Sequence, residues 1–233
     1  MKIVTIVGIR KSGKTSTVTA LVEAIRRSGK KVGTCKTVFC PTFSIDTPTS
    51  NTMRHRRAGS ELVCSRAKGE TAFLYPEALP LFKILESYKG CDYVLLEGDY
   101  FAPVPRIVCA HNDTDALPRT NSRTFAYSGR ISEKPEIELS LPRFNPLTQE
   151  GADALLELID AKIPDIMPCS MLDDLLPPVS GVTGDDFCQC GCHHHQKKQE
   201  GERVQVTVDG KALTLTQEQR ELLLSWAMEQ NNA

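Results

Sequence analysis

Apolar positions fall in short continuous runs separated by stretches of helical spacing. Residues 2–7 form an apolar run closed by Gly8, the pattern of a parallel strand buried on both faces. Val18, Leu21, Val22 and Ile25 then recur at helical spacing, and Ser28-Gly29 supplies a stop. Residues 31–37 read as the next strand. Strand, loop, helix and strand in this order predict a βαβ unit with a right-handed crossover.

Further strands are expected over residues 61–64, 71–75, 93–96, 106–110 and 123–127, with a helix over 77–88. A helix over 149–161 places Ala152, Leu155, Leu156 and Ile159 on one face and closes the main domain. Residues 163–200 lose all periodicity, broken by Pro164, Pro168, Pro177, Pro178, Gly181 and Gly184. Order returns in the tail, where Val204, Val206 and Val208 alternate with polar residues. Asp209-Gly210 signals a hairpin turn there, and Leu213 and Leu215 continue the alternation. Thr216 and Gln219 fit a capping box for a last helix carrying Leu222, Leu223, Trp226 and Ala227. The expected organisation is an α/β domain over residues 1–162, an irregular linker over 163–200, and a small ββα appendage over 201–233. The main domain is expected to be a P-loop NTPase-like, mostly parallel sheet flanked by helices.

Charge narrows the function classes. Lys+Arg 28 against Asp+Glu 29 gives a formal net charge of -1, which provides no global attraction for nucleic acid or an anionic membrane. No run approaches the roughly 20 apolar residues of a membrane helix, and the N-terminal run passes straight into the next motif, so a cytoplasmic protein is expected. Cys35, Cys40, Cys64, Cys91 and Cys109 are scattered singly and read as small buried hydrophobes in a reducing compartment.

The strongest chemical signal is Gly8-Ile9-Arg10-Lys11-Ser12-Gly13-Lys14-Thr15, followed by Ser16. Placed between a strand and a helix, it is a complete phosphate-binding loop. Gly8 and Gly13 permit backbone turns that aim successive N–H groups at phosphate oxygens, and the helix N-terminus adds its dipole. Lys14 is expected to span the β- and γ-phosphates and the Thr15 hydroxyl to ligate Mg²⁺. Glu97, at the end of an apolar strand, and Asp46 are the candidate acidic groups near that ion. No guanine-reading Asn-Lys-x-Asp occurs in the chain, so the loop by itself selects no base, and no catalytic residue is assigned. Arg54, His55, Arg56 and Arg57 form a dense cationic cluster able to hold phosphate through planar donors.

Residues 44–60, with Asp46-Thr47-Pro48 and Arg54-His55-Arg56-Arg57-Ala58-Gly59, resemble the signature of the MobB family, molybdopterin-guanine dinucleotide biosynthesis protein B. Leu95-Leu96-Glu97-Gly98, Pro105-Arg106-Ile107, Phe125-Ala126-Tyr127-Ser128-Gly129 and Phe144-Asn145-Pro146-Leu147 are similar to further family stretches, so the likeness covers residues 1–161. It implies a GTP-binding accessory protein, a weak GTPase, assisting a molybdopterin guanylyltransferase that makes the dinucleotide. It also implies a homodimer and places molybdoenzymes among the further partners. The Arg54–Arg57 cluster would then face the nucleotide or the partner's cofactor. The chain departs from the family pattern at Thr49-Ser50-Asn51, where an acidic group is lost. It departs again at Thr37, in place of a histidine, and at Asp99, in place of an aromatic.

Cys188-Gln189-Cys190-Gly191-Cys192-His193-His194-His195 concentrates thiolates and imidazoles that suit Zn²⁺, Cu(I), Ni²⁺ or an iron–sulfur cluster, with Cys169 as a further thiolate. This tract leaves an alternative open, a metal-insertion GTPase that releases its metal on nucleotide hydrolysis. A small-molecule kinase would be expected to show an arginine-rich lid, for which Arg119, Arg123 and Arg130 are too dispersed.

Overall fold

The structure is a computed structural model that describes residues 1–40 and 42–165, together with the backbone of two strands further on, β9 (Gln205–Val208) and β10 (Lys211–Thr214). The chain divides into two units at Cys190/Gly191.

In the first unit, six parallel strands form one sheet in the order β2-β5-β1-β6-β7-β8. They are β1 (Lys2–Gly8), β2 (Val32–Lys36), β5 (Tyr93–Glu97), β6 (Arg106–Cys109), β7 (Thr124–Ser128) and β8 (Arg143–Phe144). β1, β5, β6 and β7 are buried along almost their whole length, which is why they read as continuous apolar runs rather than alternating ones. After β1 the chain crosses to one side of the sheet, to β2, and β6, β7 and β8 later extend the other side. The loops above β1 and β6 therefore diverge, leaving a crevice at the carboxyl ends of the strands.

Alternate residues of the strands feed different faces. Val4, Ile6, Leu95, Ile107 and Cys109 pack against Val18, Leu21 and Ile25 of α1 (Lys14–Arg27) and against Leu155, Leu156 and Ile159 of α5 (Gln149–Lys162). Other strand positions supply two further clusters. Ile3, Val94 and Leu96 join Leu85 of α3 (Leu81–Glu86), while Val7 and Val108 join Tyr127 and Ile131. Apolar burial on both faces, at about 25 cal/mol per Å², is the main force holding the sheet between its layers.

Two expected strands lie elsewhere. β3 (Val63–Arg66) and β4 (Thr71–Leu74) pair antiparallel with each other, as a separate two-stranded hairpin. Its residues are mostly exposed, so their alternation has no sheet face to serve. The helix expected over 77–88 is shortened to α3 because Pro80 occupies its N-cap and holds an extended ψ of 149°. Two elements without an apolar stripe were not anticipated, α2 (Asn51–Arg57) and α4 (Asp113–Ala116). Of the five cysteines expected to be buried, only Cys109 is; Cys35, Cys40 and Cys91 are half-buried and Cys64, on the hairpin, is exposed.

β9 and β10 pair antiparallel, Lys211 with Val208, the arrangement that the Asp209-Gly210 turn signal calls for. The expected last helix lies outside the described residues. No helix among the described residues is long and apolar enough to cross a membrane.

Candidate functional site

The loop between β1 and α1 sits over the crevice, and its shape follows from its glycines. Gly8 has φ 152° and Gly13 φ 103°. A Cβ on Gly8 would lie 2.0 Å from the Cys109 carbonyl oxygen, and one on Gly13 would lie 2.7 Å from the Gly129 Cα. Any side chain at either place would push the loop off its neighbours. Lys11, at φ 61°, is the only non-glycine with positive φ among the described residues. That strained conformation is held from outside: the Arg130 Nε donates to the Lys11 carbonyl at 3.0 Å, and the His111 Nε2 stands 3.0 Å from the same oxygen. The Arg130 backbone N–H also donates to the Ser12 carbonyl at 3.0 Å. Tyr100 braces the other end, donating its hydroxyl to the Gly8 carbonyl at 2.7 Å and accepting from the Gly8 N–H at 3.0 Å.

Lys14 opens α1, a 14-residue helix whose N-cap, Gly13, offers no side-chain acceptor. The free N–H groups of the first turn and the helix dipole make this an anion-receptive end. The Lys14 ammonium donates to the Ile9 carbonyl at 2.6 Å, and burial holds its pKa below the usual lysine value. Thr15 donates its hydroxyl to Glu97 Oε1 at 2.8 Å, and Lys36 Nζ lies 3.0 Å from that same oxygen. Glu97 is 8% exposed, so its carboxylate depends on these two donors. The register explains the meeting: Glu97, the last residue of β5, pairs with Lys36, the last of β2, and with Ile6, two residues before the end of β1.

A cleft of about 420 Å³ runs from this loop along the start of α1 to two segments far away in sequence. Lys11, Gly13, Lys14, Thr15 and Ser16 contribute to its lining, as do Gly129, Arg130, Glu133, Pro146 and Leu147. This is the size and mixed chemistry of a small-molecule site.

Among the residues singled out from the sequence, Gly8, Ser12, Gly13, Lys14, Thr15 and Glu97 come together, with Arg10 exposed on the loop between Ile9 and Lys11. The Ser12 hydroxyl is buried without a hydrogen-bond partner among the described residues and points back towards Gly8. Asp46 is engaged within its own segment, accepting from the Ser50 hydroxyl at 2.6 Å. Bonds from Ser50 and Thr52 hold its carboxyl below the usual range. Ser50 in turn caps α2, accepting from the Met53 N–H at 2.9 Å. Arg54, His55 and Arg57 are exposed on α2 and Arg56 is half-buried; none of the four lines the cleft. Cys169, Cys188, Cys190, Cys192 and His193 lie outside the described residues, and among the described residues no group of three or more His, Cys, Asp or Glu could hold a metal ion.

Sequence reasoning missed Tyr100, His111, Gly129 and Arg130 as parts of the site. One signal was present: Ser128-Gly129 closes an apolar strand just as Gly8 closes β1. Gly129 has φ 74°, and a Cβ there would meet the Ser12 carbonyl oxygen at 2.0 Å.

The family model described as molybdopterin guanine dinucleotide synthesis protein B matches residues 3–126, more than half of the chain. The fold is similar to that of solved structures. The crystal structure of Bacillus subtilis MobB has 24% identity and a TM-score of 0.55 over 67% of this chain and 97% of that one. A MobB protein homolog from Bacillus stearothermophilus has 21% identity and a TM-score of 0.53 over 70% and 100% of the two chains. No curated protein matches the chain.

Proposed function

The chain belongs to the MobB family and has its role in molybdopterin guanine dinucleotide synthesis, and from that premise we propose that it is a GTP-binding accessory protein. In this reading the loop amides, Lys14 and the first turn of α1 hold the triphosphate. Lys14 leaves the Ile9 carbonyl for the β- and γ-phosphates, where full charge on its ammonium is favoured. The observation that carries the reading is the 2.8 Å contact between the Thr15 hydroxyl and Glu97 at the mouth of the loop. Both are hard oxygen donors of the kind Mg²⁺ takes, so the residues present fit that ion. When bound, the ion supplies charge neutralisation at the phosphate oxygens. Glu97 is the better partner for it, because its Oε1 already stands 2.8 Å from the Thr15 hydroxyl, whereas Asp46 bonds Ser50 within its own segment.

Slow hydrolysis accords with this set. Glu97 is occupied by Thr15 and Lys36, which suits a carboxylate that orients a metal or hydroxyl rather than one free to activate water. The protein then works as an adaptor that presents GTP to a guanylyltransferase partner, and family resemblance supports a homodimer. The Arg54–Arg57 cluster on α2, exposed and outside the cleft, suits contact with that partner or its phosphorylated cofactor better than contact with the bound nucleotide.

Replacing Lys14 with Ala is the direct test. Titration of the full chain with GTP and Mg²⁺ should show binding in the parent and none in Lys14→Ala, and unchanged affinity would overturn the assigned site.

A further inference from the structure

The Asn-Lys-x-Asp that commonly reads guanine is absent from the chain, yet a carboxylate, Glu133, lines the cleft beside the phosphate loop. The turn after β7, a 3-10 helix over Gly129–Glu133, is locked to the phosphate loop. Arg130 bonds the Lys11 and Ser12 carbonyls, and Gly129 packs on Gly13. Its far end is thereby fixed relative to any phosphate held by the loop. A nucleotide whose phosphates are held by Lys11–Ser16 extends its base towards the rest of the cleft lining. Outside the loop and α1, that lining comprises Gly129, Arg130, Glu133, Pro146 and Leu147.

The chemistry of those walls is selective. Leu147 is 70% exposed, an apolar side chain facing water until something flat covers it. Glu133 is the only carboxylate lining the cleft, and among the described residues it has no hydrogen-bond or ion-pair partner. An ionised carboxylate only accepts hydrogen bonds. Guanine presents two adjacent donors on one edge, N1–H and the 2-amino group, which two carboxylate oxygens can take together. Adenine presents a bare N1 acceptor there, whose lone pair opposes the carboxylate.

We infer that Glu133 is the specificity-determining residue of the site. Its carboxylate pairs with N1–H and the 2-amino group of guanine while the base lies against Leu147 and Pro146. The inference rests on the reading of the phosphate loop as a nucleotide site and adds its base preference. Arg130 is a positioning residue that ties the base-reading turn to the phosphate-reading loop.

The test is the affinity of the full chain, with Mg²⁺, for GTP, ATP and XTP, in the parent, Glu133→Gln and Leu147→Asp. The parent should prefer GTP. Glu133→Gln should lose roughly ten- to a hundredfold in GTP affinity, the scale of a charge-assisted hydrogen bond. It should also gain affinity for XTP, because xanthine offers one donor beside one acceptor and matches an amide. Leu147→Asp should weaken GTP and ATP alike. A GTP:ATP ratio unmoved by Glu133→Gln, a parent that binds both purines equally, or full affinity in Leu147→Asp would overturn the inference while leaving the phosphate site standing. A parent that binds no nucleotide would overturn both. Glu133 and Leu147 are exposed, so neither substitution disturbs the core.

Discussion

Tyr100 shows how much of the loop's geometry rests on single side chains. Its one hydroxyl satisfies both the N–H and the C=O of Gly8, the residue at which the backbone leaves β1 and turns into the loop. Tyr100→Phe keeps the ring and orphans two partly buried backbone groups. Such groups cost about 1–3 kcal/mol each when water cannot reach them. The expected outcome is a loss of roughly 1–2 kcal/mol of stability in urea unfolding, together with weaker GTP binding. A variant equal to the parent in both would show that water replaces the hydroxyl. Lys14, Thr15 and Glu97 were legible in the sequence because their signals are local, a spaced motif or the end of an apolar run. Tyr100, His111 and Arg130 were not. Their partners in the loop lie 92, 100 and 119 positions away, and no local pattern records a contact across that distance.

Elements follow the same division. β1, α1, β5 and α5 announce themselves because burial imposes a continuous apolar run on the strands and a stripe on the helices, whereas α2 buries no residue and so carries no stripe. What starts α2 is the Ser50 cap, at one of the positions where the chain departs from its family's pattern. The 3-10 turn over Gly129–Glu133 carries no apolar stripe either, yet it is clamped to the phosphate loop. Gly129 and Gly59 separate backbone strain from that clamping, since both have positive φ, at 74° and 97°. A Cβ at Gly59 meets nothing within 4 Å, while one at Gly129 overlaps the Ser12 carbonyl. Gly59→Ala should cost only the strain of an alanine at positive φ, about 1 kcal/mol. Gly129→Ala should cost clearly more and lower nucleotide affinity as well, because the turn must move off the loop. Thermal unfolding of the two variants with and without GTP checks this, and equal losses would mean that the turn and the loop are not coupled.

For the whole molecule, the parallel sheet and its central crevice could be anticipated from β1, the loop and α1, but the site is completed by segments from both halves of the first unit. The thiol of Cys109 lies where they meet. It is fully buried at the end of β6, 3.4 Å from the Thr17 hydroxyl of α1. Burial pushes it up from an ordinary 9.0 to about 12. Well below pH 9 it is neutral in both folded and unfolded chains and has no effect on stability. Above pH 9 the unfolded chain releases this proton and the folded chain retains it, so stability falls as pH rises towards about 12. Lys14 acts in the opposite sense, because burial lowers its pKa below 10.5 and the unfolded chain binds the extra proton. Burial, the largest cause of its shift, is common to parent and variant, so the comparison reads chiefly the thiol. From pH 8 to pH 10 the thiol alone should remove on the order of 1 kcal/mol of stability. Cys109→Ala should start less stable, having lost a buried sulfur, yet fall by about that much less over the same interval. Urea unfolding at the two pH values measures both slopes. Parallel slopes would mean that the buried thiol ionises in the fold as readily as in water, and that the floor beneath the phosphate loop is wet.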